Sequence, residues 1–310
     1  MEAADAKGEV CVLAPSPLYT VTIESRGDGS PEVHFHAGGQ GLWVARMARV
    51  LGAETTLCGP IGGESGLVIE SLIERSGLTF VPLACQAANG GYVHDRRSGE
   101  REPIVDIAAP VLQRHEVDEL GALVLTLAMS HRALVLTGPS NPAAVPAASY
   151  ERLAKNVAAV GCRVVADLSG DFLKAMSGGV DVLKVAHNEV LDAGLAEGDS
   201  RDELLRAARA LRERGIAVVI VSRGSDPAIA VLEEGAFEIE LPELDAADHR
   251  GAGDSMTAAA AVALARGQDA PSLLRLAAAA GAMNVTRHGL GSGRRDLVEK
   301  LMEQVTLRPL

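Results

Sequence analysis

The sequence predicts an α/β protein with a central, mostly parallel sheet, helices on both of its faces, and a small extra β-sheet. Three observations carry this. Short apolar runs ending in Gly, Ser or Pro alternate with amphipathic stretches of helical length. Strand–helix alternation implies crossovers, hence parallel strands covered on both faces, a three-layer α/β/α arrangement. Two segments break that rhythm with the period-two pattern of hairpins.

In chain order, EVCVLAP, ETTLCG, RALVLTG, CRVVADLSG, VDVLKVA and AVVIVSRG read as buried strands. Between them, 41–51, 65–76, 114–130, 145–160 and 201–214 read as helices. On the first helix Trp43, Met47, Val50 and Leu51 share a face, with Arg46 and Arg49 placed opposite. The last third turns helical, over 255–266, 271–287 and 294–304. LYTVTIESRGDGSPEVHFH is one hairpin, and GGYVHDRRSGEREPIVDI a second that turns at Arg97-Ser98-Gly99. Together they read as a lid inserted at about 16–37 and 86–108 of a single domain over 1–310. A small sheet with an apolar face needs cover, which predicts a homodimer through the lid.

Hydrophobic residues make up 47% of the 310 but aromatics only 3%, so the core is built from Ala, Val and Leu. The formal net charge of −12 argues against nucleic acid or an anionic membrane as the main partner. It leaves room for a local basic pocket. MEAADAKGEV lacks the apolar stretch of a signal peptide, and MTAAAAVALA is too short to span a bilayer. A soluble, cytoplasmic protein is expected. Cys11, Cys58, Cys85 and Cys162 form no C-x-x-C pair and read as reduced, mostly buried thiols.

The stretch DHRGAGDSMTA opens the helix 255–266 with Gly251, Ala252, Gly253 and Asp254. A helix start exposes unpaired N–H groups, and glycines let backbone close round an anion. An acid held there is placed to take a proton from a hydroxyl attacking a phosphate. The plainer alternative is a turn whose acid answers the helix dipole. The stretch is neither a P-loop nor G-x-G-x-x-G, because Met256 stands where the third glycine belongs.

The rest of the chain adds a resemblance. HAGGQGLWVARMARVLGAETTLCGPIGGESG, over 36–66, followed by DHRGAGDSMTA, resembles the two signatures of the PfkB, or ribokinase-like, carbohydrate kinases. Between and after them, NGGYVHDRRSGEREPIVD, VVADLSGD, VLKVAHNEV, VSRGSDPA and AAAAGAMNVTRHGLGSG fall where that family has its lid, D-x-S-G, K-P-N-x-x-E, nucleotide-side and adenine-side segments. The 1-phosphofructokinase and tagatose-6-phosphate kinase branch looks most similar. The resemblance implies a ribokinase-like fold and ATP-dependent transfer of a phosphoryl group to a sugar hydroxyl with Mg2+. Asp254 matches the family's base, and Gly251, Ala252 and Gly253 its anion hole. Glu189 matches the glutamate that organises Mg2+ through water. Lys184, Ser222, Gly224, Gly253, Gly281 and Asn284 match nucleotide-side positions. Thr20, Gly38, Gly39, Gln40, Trp43 and Asn89 match sugar-side positions.

Departures gather on the sugar side. Thr20 stands at an acid position of that branch, Gln40 at the lysine that binds the substrate's phosphate, and Trp43 at an asparagine. Ala87 falls near the lid arginine, Ala186 replaces the asparagine of N-x-x-E, and Pro227 a loop glycine. Arg96, Arg97 and Arg250 are the candidate replacement cations. Arg250, directly before the anion hole, reads as a catalytic cation that stabilises the transferring phosphate or binds a substrate phosphate, and equally as a surface arginine. Trp43 reads as a wall of the sugar pocket or as packing beside Met47. His34 and His36, at i and i+2, lack a third metal ligand and read as lid surface. An active sugar or sugar-phosphate kinase is the first expectation. The alternatives are a catalytically weak sugar sensor on the same fold, or a nucleoside kinase, for which aromatics are scarce.

Overall fold

The computed structural model describes residues 9–241, 244–245, 249–287 and 289–310. Its strands, in chain order, are β1 (Glu9–Leu13), β2 (Leu18–Ser25), β3 (Pro31–Gly38), β4 (Glu54–Ile61), β5 (Thr79–Ala84), β6 (Gly91–Asp95), β7 (Glu102–Ile107), β8 (Ala133–Thr137), β9 (Arg163–Asp167), β10 (Val182–Ala186), β11 (Val218–Arg223), β12 (Asp226–Leu232), β13 (Gly235–Glu240) and β14 (Thr306–Pro309). The helices are α1 (Gln40–Val50), α2 (Gly63–Arg75), α3 (Arg114–Ser130), α4 (Ala147–Ala159), α5 (Gly170–Ala175), α6 (His187–Asp192), α7 (Arg201–Glu213), α8 (Ala252–Ala265), α9 (Ala270–Val285) and α10 (Arg295–Met302).

One large sheet has the order β14-β13-β12-β11-β10-β9-β8-β1-β4-β5. It is parallel from β11 to β5, and an antiparallel edge is added by β12, β13 and β14. Alternation along β1 shows how the layers form. Val10 and Val12 join a core with α1, α8 and α9, while Cys11 and Leu13 join one with α3, α4 and α7. Helix α8 is alanine-rich because it is buried nearly all round, with Ala258 to Ala263 fully covered.

Several elements lie outside the expected pattern. Pro82 interrupts β5, which lies at the sheet edge where a missing N–H is tolerated. The six-residue helices α5 and α6 are too short to show a period. The chain's end forms β14 rather than a longer last helix. Arg46 does not oppose Trp43. Its guanidinium lies 5.4 Å from the centre of the Trp43 ring, because residues i and i+3 are helix neighbours.

The second sheet has the order β3-β2-β6-β7, with β2 and β6 parallel and two antiparallel hairpins outside them. Register gives it two unlike faces. Thr20, His36, Tyr92 and Asp106 share a row on one face, next to Thr22, His34 and His94. Val21, Val33, Phe35, Val93, Val105 and Ile107 share the other. Phe35 is 55% exposed and Val33 50%.

Helix α1 starts hard against the end of β1. A side chain added at Gly41 would place its Cβ 2.6 Å from the Ala14 Cβ. Gly41→Ala should therefore cost roughly 1–3 kcal/mol, seen as a lower urea midpoint. An unchanged midpoint would show that the contact is not tight.

Candidate active site

The carboxyl ends of β1, β8, β9 and β10 open into a cleft of about 160 Å³ lined by Ser16, Gly39, Gln40, Gly138, Asp167 and Glu189. This is where open α/β sheets bind ligands. A larger groove of about 210 Å³ between α3 and α4 has Asp118 and Arg152 as its charged lining. The charged lining of the first cleft, Asp167 and Glu189, is all acidic.

Asp254 stands in the first turn of α8, whose N-cap Gly251 is left-handed at φ +76°. That turn leaves the N–H groups of 252–254 without helical partners. A side chain at Gly253 would overlap the Lys184 ammonium, so only glycine admits the lysine here. Lys184 Nζ donates to Asp167 Oδ1 at 3.4 Å, both residues being buried. The Thr257 hydroxyl donates to Asp167 Oδ2 at 2.7 Å, which ties α8 to the end of β9. Glu189 Oε2 accepts the Ala186 N–H at 2.7 Å.

Three carboxyls thus surround one ammonium. Burial, then repulsion from Asp167 and Glu189, push Asp254 up to about 7, against the pull of Lys184 and a hydrogen bond from Gln40. Burial and Asp167 also raise Glu189, opposed by Lys184. Burial opposes the Lys184 charge, but Asp167, Glu189 and Asp254 outweigh it and hold the lysine above its usual range. The surplus negative charge suits a divalent cation. Among the described residues no three His, Cys, Asp or Glu side chains are grouped to ligate one directly. The set therefore fits an ion that keeps most of its waters, as Mg2+ does.

The expected sugar-side residues divide. Gly39 needs its φ of +108°, and a Cβ there would come 2.8 Å from the Ser16 carbonyl oxygen. Trp43 and Thr20 both border Gly38, so the tryptophan, half-buried against the core, also faces the small sheet's polar side. Gln40 Oε1 accepts the Gly138 N–H at 3.0 Å, which turns its NH2 toward Asp254. Asn89 is expected as a substrate ligand, but its side chain is spent on backbone. It accepts from Gly62 N–H at 2.9 Å and donates to the Pro17 and Pro60 carbonyls at 3.0 Å.

The expected nucleotide-side residues divide too. Gly224 occupies the β11–β12 turn at φ +65°, close to Ser222 at the end of β11. Gly281 lies in the α8–α9 interface, where a Cβ would come 2.8 Å from Met256 Cγ. Asn284 donates to the Arg250 carbonyl at 2.7 Å and accepts from Gly291 N–H at 3.1 Å. Both are better read as bracing the anion hole than as touching a ligand. Of the candidate cations, Arg97 is taken by Asp95 at 2.6 Å and Arg96 lies 3.7 Å from Glu24. Arg250 is exposed beside the anion hole. The central acid Asp167 was not among the expected site residues. Its signal was the acid opening D-x-S-G at the end of a buried strand.

Because Asp254 is raised from 3.8 to about 7, the folded chain binds the extra proton. That stability is full below pH 4 and is lost as pH rises through 7. Asp254→Asn removes the penalty and should stabilise the ligand-free protein at pH 8 by on the order of 2–4 kcal/mol, with little change at pH 4. Thermal melts at both pH values check this, and an equal shift at both would contradict it.

Comparison with known proteins agrees with this geometry. The pfkB family carbohydrate kinase model matches residues 19–296. The chain is 30% identical to the ATP-dependent 6-phosphofructokinase isozyme 2 of Mycobacterium tuberculosis, over 96% of this chain and 90% of that protein. It is 31% identical to the 1-phosphofructokinase of Xanthomonas campestris, over 91% of each. The crystal structure of Escherichia coli phosphofructokinase-2 in complex with potassium superposes with a TM-score of 0.83 at 24% identity, covering 96% and 98% of the two chains. No helix among the described residues is long and apolar enough to cross a membrane. The chain belongs to the pfkB family of carbohydrate kinases, enzymes that phosphorylate sugars or sugar phosphates with ATP.

Proposed function

We propose that this kinase acts on a ketose phosphate, with Asp254 as its general base. The observation that carries the reading is the Asp254 carboxyl at the mouth of α8, beside unpartnered N–H groups and Lys184. Asp254 takes the proton as the sugar hydroxyl oxygen attacks the γ-phosphorus of ATP, the bond from that phosphorus to the β,γ-bridging oxygen breaks, and ADP leaves. The N–H groups of 252–254 hold the charge on the phosphoryl oxygens. Glu189, and Asp167 behind Lys184, would hold Mg2+ through water, and when bound it would supply charge neutralisation for the polyphosphate. Gln40, fixed by Gly138, keeps the Asp254 carboxylate oriented. Ser222 and Gly224 lie on the nucleotide side. A cytoplasmic setting, where ATP is supplied, goes with this role.

The relatives' names supply fructose 6-phosphate and fructose 1-phosphate as first substrates to try. The small sheet serves as the lid, its polar face toward the sugar. Its apolar face, with Phe35 and Val33 half-exposed, is covered by a second copy of this chain.

Four measurements test this. Turnover of both fructose phosphates, free fructose, ribose and adenosine with MgATP should favour a sugar phosphate. Asp254→Asn should lower kcat by roughly 10²–10⁴-fold, and a variant near wild type would remove Asp254 as base. A base must be ionised to act, so kcat/KM should fall as pH drops below about 7. A flat profile from pH 5 to 8 would contradict the raised carboxyl. Phe35→Asp should turn the dimer into monomer by light scattering, and an unchanged mass would place the dimer surface elsewhere.

A further inference from the structure

The sugar-phosphate reading needs cations for the phosphate that the substrate already carries. Gln40 supplies none, being a neutral amide held by Gly138 and turned to Asp254. The polar face of the small sheet supplies another set. His94, on β6, is only 7% exposed. Arg101 Nη2 lies 2.6 Å from His94 Nε2.

That contact fixes the imidazole chemically. A guanidinium only donates hydrogen bonds, so Nε2 accepts and the ring's proton sits on Nδ1. Burial, then Arg101, Arg250 and Arg96, hold His94 below its ordinary range, opposed by Asp106 among the described residues. The ring is therefore neutral, with an N–H at Nδ1. Yet Nδ1 is buried and has no hydrogen-bond partner. Buried donors are seldom left so, and one that is calls for an acceptor. Among the described residues, cations reach this ring from two sides, with Asp106 as the counter-charge. Arg101 and Arg96 come from the β6–β7 hairpin and Arg250 from the residue before the anion hole.

We propose that His94, Arg101 and Arg250 form the seat of the substrate's own phosphate, between the small sheet and the start of α8. This rests on the sugar-phosphate kinase reading. The chemistry is that of a dianion with three terminal oxygens. One accepts from His94 Nδ1–H, and the guanidinium groups of Arg101 and Arg250 donate to the others. Arg96 adds charge at longer range while lying near Glu24. The seat puts the phosphate on the lid side of the sugar and leaves a hydroxyl to face Asp254.

Binding measured by calorimetry without nucleotide separates this site from catalysis. Fructose 6-phosphate, fructose 1-phosphate and fructose are titrated into the wild type and into His94→Gln, Arg101→Met and Arg250→Met. The wild type should bind one of the phosphates at least ~10-fold more tightly than fructose, and each variant should lose most of that preference. Affinity for fructose and for MgATP should stay within about twofold. Arg250→Met changes an exposed side chain off the small sheet, so it guards against a misfolded hairpin. A wild type without preference, or variants that keep it, overturns the proposal. So does a parallel loss of MgATP affinity, which would assign these cations to the nucleotide. Turnover is assayed separately. A phosphate preference with no turnover would support the seat while sinking the kinase reading.

Discussion

The buried ammonium of Lys184 is the constraint on which the rest of the site depends. A charge taken out of water must be paired, and removing a partner is far costlier than never having built the pair. Lys184 sits in the middle of β10, and Asp167 at the end of neighbouring β9 holds it. Asp167 in turn receives the Thr257 hydroxyl from α8. One ion pair therefore fixes how the N-terminal turn of α8 lies over the sheet. With that turn fixed, its free N–H groups and Asp254 are fixed as well.

The glycines follow from the same geometry. Gly253 is bare because Lys184 occupies the space a Cβ would need. Gly251 is left-handed because the chain must turn sharply into α8. Asn284 then clamps the Arg250 carbonyl, so the turn is held from α9 as well as from the sheet. The excess of carboxyls over cations is unfavourable in the ligand-free protein, and the raised Asp254 records it. Active sites commonly accept such strain where charge must later be neutralised by a ligand.

Much of the fold was legible because it is written in local pattern. Buried parallel strands are continuous apolar runs, and the amphipathic helices between them have the right lengths. The antiparallel edge was less visible, since β12 to β14 follow the last parallel strand without a crossover. In the site, Asp254 and the glycines were legible from their spacing. Roles that depend on partners far along the chain were not. Asn89 reads as a ligand until it is seen bonded to Pro17, 72 residues away. Asp167 gains its position from Thr257, 90 residues on. No periodicity encodes such pairs.

The small sheet explains why the sugar-side substitutions form one set rather than several losses. Replacing the lysine of the glycine run by Gln40 removes a cation from the floor of the cleft. It gains an amide that joins Gly138 to Asp254, an uncharged link beside a carboxyl already crowded by acids. Trp43 then stacks with Arg46 and walls the floor beside Gly38. Besides the buried Lys184, positive charge lies at the rim, in Arg101 on the hairpin and Arg250 before α8. A cation on the floor would attract a phosphate toward the base. In the proposed seat, cations on the rim would hold it away, leaving the hydroxyl, not the phosphate, next to Asp254. On that proposal, charge placement would do the orienting that the resemblance assigns to a floor lysine, and the register of β6 against β2, which sets the face of His94, would be part of the specificity.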